Sequence, residues 1–124
     1  MDHFIASYIE RMDSYSDVIS ESIDSMKEYW APDEPPIIML SSHIGKALVK
    51  AFPKLDRTER ELIFEHIENG MISANDELAT AVATGLIEAM VTSTDDNQCL
   101  WEEVEKALRQ KSKEHALAWK IFGQ

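Results

Sequence analysis

Two features of this chain could do chemistry: a carboxylate inside its most apolar stretch, and an arginine–histidine pair six residues apart. The carboxylate is Glu88, within the run Leu78 to Val91. A carboxyl group buried there would have a raised pKa and could act as a general acid. The ordinary alternative is a side chain at the solvent edge of its helix, paired with one base, and that is the arrangement expected. His3, His43, His66 and His115 show no metal-ligand spacing with one another, and Cys99 is the single cysteine. No metal centre, cofactor site or internal disulfide is therefore expected. Ser112 lies near His115 but reads as a helix cap rather than a nucleophile. There is no glycine-rich phosphate loop and no His-Glu-x-x-His.

The second feature is Arg60-Glu61-Leu62-Ile63-Phe64-Glu65-His66. Its spacing resembles that of helical ribonucleases of the higher-eukaryote and prokaryote nucleotide-binding type. The resemblance implies His66 as general base and Arg60 as the group that holds the scissile phosphate. Six residues make about 1.7 helical turns, so the two side chains do not share a face. The formal net charge of −11 also opposes RNA binding. A surface arginine and a half-buried histidine account for the same residues. The chain is not expected to be an enzyme, and the ribonuclease reading stands as the lesser alternative.

The elements that carry these residues are helical by period, and no alternating run supports a sheet. The expected fold is all-α: one domain over 1–124, an array of about six helices, with a long acidic first helix and a buried fourth helix. The first should run from Asp2 to Ala31 and end at Pro32-Asp33-Glu34-Pro35-Pro36. Ile37 to Leu40 fits either a helix or a short strand. A second helix covers Ser41 to Phe52, with Ile44, Leu48, Val49 and Phe52 inward. Asp56 and Glu59 should form a capping box for a third, which carries Leu62, Ile63, Phe64 and Ile67 and stops at Asn69-Gly70. The fourth starts at Ser73 or Asn75 and keeps so little polar surface that it should be central. Gly85 inside it costs about 1 kcal/mol against alanine, which close approach of a neighbouring helix would offset. Leu100, Trp101, Val104 and Leu108 mark the fifth helix. Ser112 caps a sixth with Ala116, Leu117, Trp119, Ile121 and Phe122. Trp30, Trp101 and Trp119 are core or rim anchors.

Charge is segregated. Residues 1–36, 37–72, 73–99 and 100–124 carry −7, 0, −5 and +1. On the first helix Glu10, Asp13, Asp17, Glu21, Asp24 and Glu28 recur at three- and four-residue steps, opposite Ile5, Ile9, Met12, Ile19, Ile23, Met26 and Trp30. Like charges at this spacing cost about 0.2–0.5 kcal/mol per pair, so the stripe is a candidate surface for a basic protein partner. The plainer reading is a solvated face. Asp76, Glu77, Asp95 and Asp96 form a second candidate surface. The charge argues against nucleic acid and anionic membranes. The apolar run is too short to cross a bilayer, and the start lacks a basic signal-peptide region. A cytoplasmic protein is expected, its oligomeric state open.

A family resemblance covers roughly residues 50–122. It rests on Glu77-Leu78-Ala79-Thr80-Ala81-Val82-Ala83-Thr84-Gly85-Leu86-Ile87-Glu88-Ala89, the polar loop after it, Leu100-Trp101, Lys111-Ser112 and Trp119. The pattern resembles a family of small bacterial helical proteins whose relatives include immunity proteins of contact-dependent growth inhibition systems. It implies a protein without catalytic machinery that binds and neutralises a cognate toxin, commonly a nuclease with a basic active-site cleft. An acidic helical adaptor in another complex is the alternative on the same residues.

Overall fold

Short polar side chains open most of the helices. In a computed structural model, which describes residues 1–123, Asp2 caps α1 (His3–Asp13) by accepting from the N–H groups of Phe4 and Ile5. Ser16 caps α2 (Asp17–Trp30). Helix α3 (Ile37–Ala51) follows Pro36 without a side-chain cap, and a 3₁₀ turn, Phe52–Lys54, follows it. Asp56 and Glu59 form the reciprocal box that opens α4 (Arg57–Met71). Asn75 caps α5, a continuous helical run over 76–93, made of an α stretch Asp76–Thr80, a π stretch Ala81–Ile87 and an α stretch Glu88–Ser93. Asn97 caps α6 (Gln98–Ala107). Helix α7 (Gln110–Ala118) continues as a π turn, Trp119–Gly123. Each cap satisfies backbone N–H groups that have no partner within the helix.

The described residues are all-α, with seven helices where about six were expected. The difference arises at the start. The single helix from Asp2 to Ala31 is two helices, because two serines take over the backbone bonding at the break. The Ser14 hydroxyl donates to the Arg11 carbonyl at 2.6 Å, and Ser16 accepts from the Val18 N–H at 3.3 Å. Such side chains offer the backbone an alternative to continuing the helix. Ile37 to Leu40 is helical, which settles that ambiguity and moves the start of the second expected helix forward from Ser41.

The core lies where α3 and α5 cross, with α2 packed on α3, and α4 and α7 packed on α5. Leu78, Ala81, Val82, Leu86, Ile87, Met90 and Val91 of α5 are all buried, so the fourth expected helix is the central one. The crossing is close because glycine faces each partner helix. A Cβ at Gly45 would lie 2.4 Å from the Leu86 carbonyl oxygen, and one at Gly85 would lie 2.7 Å from that of Ile38. Gly70 is inside α4 and does not stop it. It is buried, and a Cβ there would meet the Tyr8 hydroxyl at 2.5 Å. Trp101 is buried, while Trp30 and Trp119 are half-buried. Ile121 and Phe122 are exposed, against the expectation that they join the apolar face of the last helix, and so is Leu62 of α4.

Candidate protein interface

Helix α2 presents Asp17, Glu21, Asp24 and Glu28, all exposed, while Ile19 and Ile23 on its other side are fully buried. At 100° per residue the four acids fall within about 60° of the helix circumference, along about 16 Å of its length. Glu10 is exposed and Asp13 half-buried on α1, across the Ser14–Ser16 break. The six acids therefore belong to two helices, and the continuous part of the stripe is the α2 row. Among the described residues none of the six forms an ion pair or a side-chain hydrogen bond. Some surface charges elsewhere do pair: Arg57 with Glu61 at 3.1 Å on α4, Lys106 with Glu103 at 3.5 Å on α6, and Lys111 with Glu114 at 3.5 Å on α7. Asp17 in the first turn of α2 gains from the helix dipole, whereas Glu28 near its C-terminal end does not.

The second candidate surface is not one patch. Asp76 and Glu77 occupy the first turn of α5, where the helix dipole favours acids. Asp95 and Asp96 lie just beyond its other end. A helix of that length separates the two pairs by about 25–30 Å.

The remaining chemical candidates are each engaged inside the fold. His66 is buried and its ring stacks on Tyr8, with centroids 3.9 Å apart. Its Nε2 carries a proton donated to the Tyr8 carbonyl at 2.9 Å, and the Tyr8 hydroxyl donates back to the His66 carbonyl at 2.9 Å. Burial lowers the pKa of His66, the Tyr8 carbonyl opposes the shift, and the charge of Arg11 adds to it. Burial likewise pushes the Tyr8 phenol up. Arg60 turns elsewhere: its Nη2 donates to the Phe52 carbonyl at 2.9 Å and its guanidinium lies 4.1 Å from the centre of the Phe52 ring. The fold thus separates the environments of Arg60 and His66, as their spacing on one helix requires. Tyr8, the partner of His66, lies 58 residues away in sequence, and no local pattern announces it.

Glu88 is half-buried and sits 2.9 Å from Nε2 of His115, the pairing expected of it. Ser112 is the third residue of α7, not its cap, and Arg109 holds the cap position. The capping carboxylate comes instead from Glu68 on α4, which accepts from the N–H groups of Lys111 (2.8 Å) and Ser112 (2.9 Å) and from the Ser112 hydroxyl (2.9 Å). Burial opposes ionisation of Glu68, but these hydrogen bonds and the charge of Lys111 together lower its pKa. No group of three or more His, Cys, Asp or Glu side chains among the described residues could hold a metal ion. None of the described helices is long and apolar enough to cross a membrane. No protein-family model, curated protein or solved structure matches the chain.

Proposed function

We propose that this is a cytoplasmic immunity protein that binds a cognate antibacterial toxin, a nuclease with a basic surface, and that the acidic row on α2 receives it. The observation that carries the reading is the α2 row itself. Its four acids are aligned and exposed and none forms an ion pair among the described residues, whereas α4, α6 and α7 each carry one acid–base pair a turn apart. Aligned like charges cost stability and give a basic partner faster, better-oriented encounters. Glu10 and Asp13 extend the field onto α1. The toxin assignment draws on the resemblance of residues 50–122, and an acidic adaptor would use the same row.

Two measurements test the reading. Gene context comes first: a toxin domain should be encoded directly upstream, and its absence removes the immunity assignment in favour of the adaptor. With that toxin domain in hand, Asp17→Asn, Glu21→Gln and Asp24→Asn together should slow association about tenfold at low ionic strength and flatten its salt dependence. The fold should survive, since all three side chains are exposed. Equal on-rates and equal salt slopes for parent and variant would reduce the row to a solvated face.

A further inference from the structure

The chain holds twelve Lys and Arg against twenty-three Asp and Glu, yet four of its cations line one cleft. This cleft, of about 650 Å³, lies between the start of α4 and the α6–α7 connection, and Arg57, Arg60, Lys106 and Arg109 all contribute to it. Two acids share the cleft, and each is matched: Glu61 pairs with Arg57 and Glu103 pairs with Lys106. Among the described residues Arg60 and Arg109 have no acidic partner. The cleft is therefore cationic by two charges in a molecule that is strongly anionic.

The two unmatched arginines differ in how they are held. Arg60 is fixed by the Phe52 carbonyl and the Phe52 ring, and its Nε is covered from solvent without a hydrogen-bond partner. Its guanidinium is a pre-oriented, partly desolvated charge, which strengthens its attraction for an anion. Arg109 is exposed at the cap position of α7, where the Glu68 carboxylate already takes the N–H groups of Lys111 and Ser112.

We propose that this cleft binds the terminal phosphate of a small phosphorylated molecule, with Arg60 and Arg109 as its two anion-binding groups. A phosphate monoester carries about −1.5 to −2 charge near neutral pH and three acceptor oxygens, which matches two guanidinium forks. The volume falls within the range of small-ligand sites, about 300–1,000 Å³. Phe52, Ala107 and Leu108 supply an apolar base beside the cations. The site is separate from the α2 row, so it stands whether or not that row binds a toxin.

The test is an NMR titration of the full chain at constant ionic strength with inorganic phosphate, adenosine monophosphate and glucose 6-phosphate, with chloride as the reference. The expected result is saturable shifts at the Arg60 Nε–H and at the backbone around Arg109. Arg109→Gln should weaken binding at least tenfold without unfolding, because its side chain is exposed and makes no tertiary hydrogen bond or ion pair among the described residues. Arg60→Gln should do the same where its spectrum remains folded. Lys46→Gln, an equal charge change on exposed α3 surface, should leave affinity unchanged. Equal affinity for free phosphate and both esters would identify the phosphate itself as the ligand, and tighter binding of one ester would identify its organic part. Non-saturable shifts, or equal weakening by Lys46→Gln and Arg109→Gln, would overturn the site. So would saturable binding of an oligoglutamate peptide with no response to any phosphate.

Discussion

The close crossing of α3 and α5 makes alanine at two glycines a test in which helix propensity and packing predict opposite signs. Taken alone, Gly→Ala in a helix interior should stabilise by about 1 kcal/mol. In the fold, a Cβ at Gly85 would approach the Ile38 carbonyl oxygen to 2.7 Å and the Ser41 Cβ to 2.9 Å. A Cβ at Gly45 would approach the Leu86 carbonyl oxygen to 2.4 Å. Ordinary contact begins near 3.4 Å, so the helices must part by about 0.7 Å at Gly85 and about 1 Å at Gly45. The opposing atoms are largely backbone, which cannot rotate away. Overpacking of this kind costs about 1–3 kcal/mol, and a shift of α3 also loosens contacts around Leu40, Ile44 and Leu48. After the propensity gain is subtracted, Gly85→Ala should destabilise by about 1 kcal/mol and Gly45→Ala by about 2 kcal/mol. The double variant should cost less than the sum, because the first substitution already separates the helices. Urea denaturation gives the readout, with roughly 4 °C of melting temperature per kcal/mol as a cross-check. If either variant is as stable as the parent or more so, the helices do not meet there as described.

Two further outcomes follow from the engaged titratable groups. The pKa of His66 is lowered in the fold from an ordinary 6.5, so the unfolded chain binds its proton first. The contribution of His66 to stability is complete above about pH 6.5 and is lost as pH falls from there through the folded value. Denaturation midpoints measured between pH 7.5 and pH 5 should fall less for His66→Gln than for the parent, and parallel curves would show that this ring is not the group responsible. The pKa of Glu68 is lowered below 4.5, so its contribution is present above that pH and is lost as pH falls through the folded value. Glu68→Gln should destabilise by about 1 kcal/mol at pH 7 by weakening the cap of α7, with amide exchange at Lys111 and Ser112 accelerated. Unchanged exchange at those two amides would show that α7 does not depend on the carboxylate.

Periodicity and caps were local enough to be read from residues a few places apart. The Asp56–Glu59 box, a start at Ser73 or Asn75 of which Asn75 is the cap, the inward faces of α1 and α2, and the central position of the helix that follows all rest on i, i+3 and i, i+4 relations. The break at Ser14–Ser16 was also local, yet two serines between strong helical patterns carry a weak signal, and the apolar period runs through them without interruption. The acid row on α2 was legible because its three- and four-residue steps lie within one helix. Its reach onto α1 was overstated for want of that break.

The sequence by itself determined the all-helical class, the burial of the helix after Asn75 and the segregation of charge, because each follows from spacing within a single element. Only the tertiary structure decided what distant residues do to one another. It placed Tyr8 against His66, gave the Glu68 carboxylate to the start of α7, paired Glu88 with His115, and set glycine against backbone between α3 and α5. It also gathered Arg57 and Arg60 from one charge-balanced stretch with Lys106 and Arg109 from another into a single cationic cleft. These contacts depend on how the helices cross, and a crossing is chosen by the summed packing of all the buried side chains, which no local window of sequence contains.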